Sequence, residues 1–401
     1  MLKSKEKKKD RRLRIIWNSN AHWTGSGYAV FTRDLLTRLV KDGWPVAEIG
    51  FWGLQGAPTT VDGIKVYPVM NHPYGSDAIV NHSIHYKADV VFTMQDIPTL
   101  DPNDLQRLKT WIPYLPIDHD PAPPSVLQRL NFAYKILTFS EFGRKQLEDK
   151  GFYSQLILEG TDPDIFKPSD KAEMRKKLGL PQDAFLWGMI AANKENPPRK
   201  GFQEALDAFK LFLKDHPEGA ILFHTQQVAP TGFPIREYAN YLGIANRTFF
   251  IDQYNATFMM NSAEVNEELN ALDAYLSPSQ TEGFGLTPIE AQSCGKPVVV
   301  NDVMSMPELI IPGKTGEMCT HEKGRFTVQL GMVYPANVDS LHEKMEKVYQ
   351  MVKDNPDQVA KDCREHIVKN FNINTQVKEM WIPLLTQLQD ELLTKPAEKV
   401  K

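Results

Sequence analysis

The chain has 401 residues, of which 42% are hydrophobic and 24% are charged, and its formal net charge is −4. This length is sufficient for two domains, the net charge argues against a general nucleic-acid coat protein, and no apolar run approaches the ~18 to 20 residues that span a bilayer. Because no leader with an apolar core is visible, and because Cys294, Cys319 and Cys363 are scattered without metal-ligand spacing, we expect a protein of the reducing cytoplasm.

The N-terminus departs from this balanced composition. Eight basic residues lie within the first fourteen positions: Lys3, Lys5, Lys7, Lys8, Lys9, Arg11, Arg12 and Arg14. We expect residues 1–12 to form a solvated, disordered arm. The alternative is contact with an anionic membrane surface or with nucleic acid, and the former would place the protein at the periphery of a membrane.

Residues 13–168 are predicted to form a first α/β domain, because short apolar runs alternate with helical patterns, as in βαβ units with parallel sheets. A helix is expected from about Tyr28 to Gly43. The predicted strands are Leu13–Trp17, Val46–Phe51, Ala88–Met94, Trp111–Ile117, Lys135–Phe139 and Gln155–Leu158. Residues 160–168 break the pattern and are expected to be a linker.

Residues 169–370 repeat the same alternation and are predicted to form a second α/β domain. A helix is expected over Phe202–Leu213. The predicted strands are Phe185–Ala191, Ala220–His224, Thr248–Ile251, Asp273–Leu276 and Pro297–Val300. Residues 371–401 contain a last long helical stretch, from about Thr375 to Leu393.

The segment from Ser279 to Glu290 is the most informative part of the chain. It joins an apolar strand to a helix expected to start at Pro288, and its glycines, Gly283 and Gly285, leave room for backbone N–H groups to approach a ligand. These amides, together with the positive end of the helix dipole, suit a diphosphate.

Two carboxylates flank that loop, eight residues apart. Glu282 precedes the glycines, where it is able to face a ligand hydroxyl or a developing positive charge. Glu290 lies one turn into the helix, within reach of a hydroxylated ring such as ribose. Thr287-Pro288-Ile289-Glu290 also has the pattern of a capping box, with Thr287 as the N-cap, so a capping role competes with the binding role of Glu290.

A second loop, from Asn193 to Gly201, also connects a strand to a helix. Lys194, Arg199 and Lys200 place cations beside the helix N-terminus, where they suit a diphosphate and the charge on a departing nucleotide. The alternative is a solvated basic surface.

Two loops of the first domain carry further candidates. Gly25-Ser26-Gly27-Tyr28 precedes the first helix, and two glycines around Ser26 favour contact with phosphate or an acceptor. Trp23, with His22, is a candidate acceptor platform. The Pro116–Pro121 loop contains Asp118, His119 and Asp120, and an Asp-x-Asp pair can ligate a metal.

The spacing Glu-Gly-Phe-Gly-Leu-x-Pro-x-Glu over 282–290 resembles the signature of the family 4 glycosyltransferases, also called glycosyl transferases group 1. The resemblance continues through Gly295–Val299, Met306–Ile310 and Pro312–Gly316. This family consists of retaining enzymes of the GT-B fold that use nucleotide-sugar donors. The resemblance therefore implies two Rossmann-like domains facing across a cleft, with the C-terminal helix crossing back to the first domain.

The resemblance also implies residue roles. Glu282 and His119 would position the sugar at the catalytic centre, and His119 would lie near the transferred group, with Asp118 on the acceptor side. Lys200 aligns with the family lysine, whereas Lys194 stands near the family arginine, so either Lys194 or Arg199 fills that role. The full predicted set comprises, for the diphosphate, Lys200, Lys194, Arg199, Gly283, Phe284, Gly285, Leu286 and Gly27; for the nucleoside, Glu290 and Tyr254; and for the acceptor, Ser26, Gly25, Asp118 and Trp23.

The predicted function is a retaining transfer of a hexose-type sugar from a UDP- or GDP-sugar to a glycan, a lipid or another hydroxyl acceptor. No metal or other cofactor is expected, because GT-B enzymes usually need none. Three alternatives stay open: a GT-B sugar-nucleotide epimerase, a non-catalytic binding protein, and a glycosyltransferase of modified DNA bases that uses the basic arm. Residues 256–260 lengthen the usual connection and are expected to alter base or acceptor contacts.

Overall fold

The computed structural model describes residues 11–53, 56–227, 231–255 and 261–394. Most of the predicted basic arm and the inserted segment 256–260 therefore lie outside the described residues. We predicted that residues 1–12 would be disordered, but the last two residues of this arm contact the first domain. Arg11 forms an ion pair of 2.6 Å with Asp89, and Arg12 forms one of 3.2 Å with Asp42.

The first domain is built on an eight-stranded sheet in the order β3-β4-β2-β1-β5-β6-β7-β8, parallel except for the β3–β4 pair. Its strands are β1 Ile15–Asn20, β2 Val46–Phe51, β3 Thr59–Val61, β4 Ile64–Pro68, β5 Val90–Met94, β6 Trp111–Leu115, β7 Leu137–Thr138 and β8 Gln155–Leu156. The short β3–β4 hairpin was not predicted from the sequence. Strand β1 extends beyond its predicted end at Trp17, because buried polar side chains there find backbone acceptors: Asn18 donates to Ile49 and Ser19 to Met94.

Five helices cover the two faces of this sheet: α1 Gly27–Lys41, α2 Ser76–Tyr86, α3 Pro102–Leu105, α4 Pro124–Leu130 and α5 Glu141–Glu148, with a short 3₁₀ turn at Ile97–Thr99. Helix α1 turns an apolar face to the sheet, with Phe31, Leu35 and Leu36 completely buried.

The second domain contains a six-stranded parallel sheet in the order β11-β10-β9-β12-β13-β14. Its strands are β9 Leu186–Ile190, β10 Ala220–His224, β11 Thr248–Phe250, β12 Ala274–Ser277, β13 Val298–Asn301 and β14 Gly316–Cys319, followed by a separate antiparallel hairpin, β15 Arg325–Phe326 and β16 Met332–Val333. The helices are α6 Lys171–Leu178, α7 Phe202–Asp215, α8 Ile235–Leu242, α9 Ser262–Ala271, α10 Leu286–Ser293, α11 Val338–Asp354 and α12 Pro356–Asn370, with 3₁₀ turns at Ala245–Arg247 and Met306–Leu309.

The strand order reverses once in each sheet, between β1 and β5 in the first and between β9 and β12 in the second. Ligands of open α/β sheets bind beyond the carboxyl ends of the strands at such a reversal. The loops that follow these four strands are therefore the expected walls of a binding cleft.

The C-terminal helical segment crosses back to the first domain, as the family resemblance implies. It comprises α13 Ile373–Gln376, a π-helical turn Val377–Trp381, α14 Ile382–Gln389 and a second π-helical turn Asp390–Thr394. Trp381 is completely buried against first-domain aromatic rings, with centroid distances of 5.6 Å to Trp17 and 5.2 Å to Tyr114. Within the described part of the chain, no helix has both the length and the apolar composition that a membrane span requires.

Candidate active site

Helix α10 begins two residues earlier than the sequence suggests. Its first residue is Leu286 and its N-cap is Gly285, which adopts a φ of +112° that favours glycine. Thr287 therefore lies inside the helix, and the predicted capping box is wrong. Because Glu290 is not at the third helical position, capping no longer explains its presence.

Glu290 is a buried carboxyl group in the wall of the cleft. The residue is 6% exposed, and no side chain among the described residues forms a hydrogen bond with its carboxylate. Burial, reinforced by the negative charge of Asp34 and opposed by Arg33, raises the pKa of Glu290 to about 8. A buried carboxyl group without a protein partner is well suited to bind a polar ligand.

Glu282, in the loop after β12, is held by cations from the loop after β9. Lys200 Nζ contacts Glu282 Oε1, Arg199 Nη1 lies 3.9 Å from Oε2, and Ser279 donates a hydrogen bond of 3.1 Å. Burial opposes ionisation of Glu282, but the charges of Lys200 and Arg199 outweigh it and hold its pKa below the usual value. The two loops at the sheet reversal thus form one charged unit.

The structure separates the three candidate cations. Lys200 and Arg199 lie beside Glu282, whereas the Lys194 ammonium lies 5.0 Å from the ring centroid of Trp52 in the first domain. Burial, together with the charge of Arg199, lowers the pKa of Lys200. Arg199 is therefore better placed than Lys194 to act with Lys200 on an anion.

Gly283 and Gly285, in the loop after β12, are each required for a different structural reason. A Cβ at Gly283 would lie 2.2 Å from Pro116 Cβ in the first domain, so this glycine allows the two domains to approach each other. A Cβ at Gly285 would lie 2.8 Å from Leu309 Cδ1 and is disfavoured by the positive φ. Only Gly285 therefore matches the prediction that the glycines leave backbone N–H groups at the start of the helix free for a ligand.

Phe284 and Leu286 are able to offer only backbone groups to a ligand, because their side chains pack into the protein core. The Phe284 ring contacts Phe371 edge-on at 6.0 Å. The backbone N–H groups of Gly285, Leu286 and Thr287 have no acceptor among the described residues. This leaves three donors at the start of α10, as expected for an anion site.

His119 and Asp118 lie in the first-domain loop after β6, which contacts the Gly283 loop through Pro116. The Asp118 carboxylate lies 2.7 Å from His119 Nδ1 and fixes the ring, leaving Nε2 for a ligand. Burial opposes ionisation of Asp118, but His119 and Arg199 hold its pKa below the usual value. Asp120 instead accepts hydrogen bonds from Gln146 and Tyr334, so the two aspartates do not share one ligand.

A second-domain hairpin, formed by β15 and β16, rests on the His119 loop and was not predicted from the sequence. Met332 N–H donates a hydrogen bond of 2.8 Å to the Asp120 carbonyl. A Cβ at Gly331 would lie 2.6 Å from His119 Cβ. Strands of two residues carry no periodic signal, so the sequence offered no basis for predicting this hairpin.

The loop after β1 meets the loop after β5 at the strand reversal of the first sheet. Gly25 and Gly27 face open space, because a Cβ at either position would meet no atom within 4 Å. Ser26 caps α1 by accepting a hydrogen bond of 3.2 Å from Ala29 N–H. Tyr28 donates one of 2.8 Å to Asp96, which was not singled out in the sequence although it follows a predicted strand.

The proposed aromatic platform is reduced to one residue. Trp23 is 39% exposed, but His22 is completely buried and lies 2.5 Å from Glu48 Oε2. Tyr254 is 63% exposed and adjoins the segment outside the described residues, so the structure does not place it against Glu290.

Sequence reasoning missed Glu159, which immediately precedes the predicted linker. The residue is 5% exposed, and burial together with the charges of Glu282 and Glu290 raises its pKa to about 8. The charges of Glu282 and Glu290 therefore act on Glu159, which lies near both carboxylates. An acidic residue directly before Gly160, between two strand-rich segments, was the available signal.

Chemically, the cleft pairs an anion-binding end with a hydroxyl-binding end. Lys200, Arg199 and the free amides at the start of α10 are suited to a diphosphate, whereas Glu282, Glu290 and His119 are suited to hydroxyl groups. Such an arrangement is able to stabilise a departing phosphate-type leaving group.

Comparison with known proteins shows that the second domain is similar to sugar transferases. Residues 170–325 match the family model described as glycosyl transferases group 1. The chain is 31% identical over 162 residues to the lipopolysaccharide core biosynthesis mannosyltransferase LpsB of Rhizobium meliloti, covering 39% of this chain and 43% of that protein. It is also 31% identical over 172 residues to the D-inositol 3-phosphate glycosyltransferase of Mycobacterium bovis, covering 42% and 33%, respectively. The chain thus spans less than half the length of these relatives.

Solved structures resemble the whole chain. Sucrose-phosphate synthase from Thermosynechococcus elongatus has a TM-score of 0.73 at 18% identity, covering 94% of this chain and 100% of that one. HepE of Anabaena, solved with UDP and glucose, has a TM-score of 0.68 at 17% identity, covering 93% and 99%, respectively. These likenesses concern the fold, two parallel-sheet α/β domains of the GT-B type. Residues 170–325 are therefore similar to the glycosyl transferases group 1 family, and the chain as a whole has the GT-B fold.

Proposed function

We propose that this chain is a retaining glycosyltransferase that moves a hexose-type sugar from a UDP- or GDP-sugar to a hydroxyl group of a glycan, a lipid or another acceptor. The observation that carries the proposal is the meeting of Lys200, Arg199 and Glu282 at the strand reversal of the second sheet, opposite His119 on the first domain. The names of the curated relatives, both sugar transferases, support the same class of reaction.

The donor would bind mainly to the second domain. The ribose hydroxyls would bind Glu290, whose carboxyl group lacks a described protein partner. The diphosphate would bind Lys200, Arg199 and the amides at the start of α10, while Glu282 and His119 would hold the sugar. The acceptor would enter along the first-domain loops that contain Gly25, Trp23 and Asp118.

During transfer, the bond between the anomeric carbon and the diphosphate oxygen breaks, and the sugar acquires oxocarbenium character. Lys200 and Arg199 would offset the negative charge that develops on the leaving oxygen. For retention, the acceptor hydroxyl attacks from the side that the diphosphate leaves, and its proton passes to the departing phosphate oxygen. Close domain contact at Gly283 and Pro116 supports exclusion of water, which would limit hydrolysis of the donor.

We further propose that the reaction needs no metal ion, because two protein cations already stand where a divalent ion would neutralise the leaving group. Activity retained in excess chelator would support this, and activity restored only by a divalent ion would refute it. Contact of the N-terminal basic residues with a membrane surface stays a proposal of the sequence alone.

The decisive experiment is a donor panel of UDP-, GDP- and ADP-hexoses, scored by thermal shift and by release of nucleoside diphosphate. UDP-glucose is the first donor to test, since HepE was also solved with UDP-glucose. We expect the nucleotide sugars of one base to raise the Tm of the protein and to be hydrolysed slowly when no acceptor is present. A panel without any response would refute the proposal.

Product identity separates the alternatives. An altered nucleotide sugar, formed without an acceptor, would indicate an epimerase. A stabilising donor that is never turned over, with or without glycan or lipid acceptors, would indicate a binding protein. For the transferase, the anomeric configuration of the product, measured by NMR, tests retention, because an inverted linkage would contradict the proposed same-side attack.

A further inference from the structure

A cluster of metal-binding side chains lies on the second domain, away from the cleft. Asp215 is the last residue of α7, and His342 and Glu346 lie one turn apart on α11. One ligand atom from each of these three residues lies within 4.8 Å of those of the other two. Because the helices α7 and α11 pack against each other, two separate parts of the chain contribute to one site.

The two α11 side chains point at each other without forming a hydrogen bond. His342 Nε2 lies 3.3 Å from Glu346 Oε1. Both atoms are inaccessible to solvent and have no hydrogen-bond partner among the described residues. Apart from this contact with each other, the buried nitrogen and the buried oxygen make no hydrogen bond among the described residues, and this carries a cost of desolvation that a shared cation would offset.

Glu346 is also held in position by a further residue. Its second oxygen, Oε2, lies 2.8 Å from His216 Nε2. The His216 ring packs at 4.0 Å from the Tyr349 ring and at 4.4 Å from the Phe212 ring, which fixes its orientation. A histidine that orients a carboxylate ligand in this way is typical of the surroundings of metal sites.

The electrostatic setting favours a cation as well. The carboxyl end of a helix carries a partial negative charge, so the carboxylate of Asp215 at the end of α7 is in an unfavourable position unless a cation lies nearby. Lys214 provides one positive charge at this end, whereas Asp215 and Glu346 provide two negative charges at the cluster itself.

We propose that Asp215, His342 and Glu346 bind a Zn²⁺ ion, with His216 as a positioning residue. An imidazole ligand favours Zn²⁺ over Mg²⁺ or Ca²⁺, which prefer oxygen ligands alone. Three protein ligands leave the fourth tetrahedral position to water on the exposed side of Asp215. The ion would tie the end of α7 to α11, and α7 begins directly after the Lys200 loop. This inference is independent of the proposed transferase activity.

The test is a Zn²⁺ titration of the full chain by calorimetry in excess Mg²⁺, together with the metal content after dialysis. We expect one Zn²⁺ per chain and a Tm that rises with Zn²⁺ concentration. His342→Ala and Glu346→Gln are each expected to weaken binding by at least about tenfold. The matched control, His85→Ala, removes an exposed histidine of α2 and is expected to bind like the wild type.

Co²⁺ provides a second readout that does not depend on activity. The wild-type protein is expected to give the visible absorption of a tetrahedral Co²⁺ site, and Glu346→Gln to lose it, even if His342→Ala does not fold. Absence of stoichiometric Zn²⁺ binding to the wild type, or equal binding by the wild type and Glu346→Gln, would overturn the proposal.

Discussion

Lys200 and Glu282 form a direct ion pair between the loops that follow β9 and β12, at the strand reversal of the second sheet. Each side chain is 16% exposed, so neither charge is hydrated as it would be on an open surface. A diphosphate entering this position would compete with Glu282 for the Lys200 ammonium. The ion pair therefore keeps both groups charged and in place before the donor binds.

Removing the Lys200 charge tests this arrangement. We expect Lys200→Ala to lower kcat/KM for sugar transfer by about 100- to 1000-fold, the usual cost of losing one charged or hydrogen-bonding contact to a leaving group. Lys194→Ala is the matched control from the same loop. It removes only an exposed cation–π contact with Trp52, worth ~0.5 to 1 kcal/mol, and should change kcat/KM by less than about fivefold. Equal losses in the two variants would contradict the assignment.

The pH dependence of stability is expected to reveal the two buried carboxyl groups, Glu159 and Glu290. Their pKa values are raised from about 4.5 to about 8, so the folded protein holds these protons more tightly than the unfolded chain. This contribution to stability is complete below pH 4.5 and is lost as the pH rises through 8, at up to about 1.4 kcal/mol per pH unit for each group.

Glu159→Gln, which cannot ionise, should therefore reduce the fall in unfolding free energy between pH 5.5 and pH 8.5, as measured by urea denaturation. Glu365→Gln, on an exposed face of α12, is the matched control and should leave the slope unchanged. The depressed pKa of Glu282 acts in the opposite direction and only at acidic pH, because that contribution is lost as the pH falls. An unchanged slope in Glu159→Gln would show that this carboxyl group is not buried as described.

The sequence predicted the strands best where apolar runs were bounded by polar residues, as at Val46–Phe51 and Ala220–His224, which match the structure residue for residue. It failed at the start of α10, because the local pattern Thr-x-x-Glu satisfied a capping box while Gly285 supplied the actual helix start. Pairings across the cleft, such as Gly283 with Pro116, depend on how two distant loops meet. No local propensity encodes such a contact.

The hairpin that rests on the His119 loop is expected to affect catalysis through position rather than chemistry. A methyl group at Gly331 would meet His119 Cβ at 2.6 Å and the Pro121 carbonyl at 3.0 Å, so Gly331→Ala must displace the loop. A displacement of ~1 Å near the reacting groups can cost about 100-fold in rate. We therefore expect kcat for transfer to fall steeply while the Tm changes little.

The matched control for the hairpin is Val328→Thr at its tip, where the side chain is 94% exposed. This variant keeps the hairpin and changes only its solvent-facing surface, so kcat should match that of the wild type. If Gly331→Ala also retained full kcat, the hairpin would have no part in holding His119.

A last prediction concerns closure of the two domains. The Glu308 carboxylate of the second domain accepts hydrogen bonds from the Glu141 N–H at 2.8 Å and the Phe142 N–H at 2.7 Å, and so caps α5 of the first domain. Losing a helix cap costs ~0.5 to 2 kcal/mol, and here that energy favours the closed arrangement. Glu308→Ala should therefore raise the KM for the donor by about fivefold at unchanged fold, since ~1.4 kcal/mol corresponds to a factor of ten.

Small-angle scattering should show a larger radius of gyration for Glu308→Ala than for the wild type. Glu308→Gln keeps one carbonyl acceptor, so its radius of gyration should lie between those of Glu308→Ala and the wild type. Glu365→Ala, which removes a solvent-exposed carboxylate from the same domain, is the matched control and should change neither quantity. A Glu308→Ala variant with an unchanged radius and an unchanged KM would mean that the Glu308 cap does not favour closure and that other contacts between the domains, such as Gly283 with Pro116 and Met332 with Asp120, are sufficient.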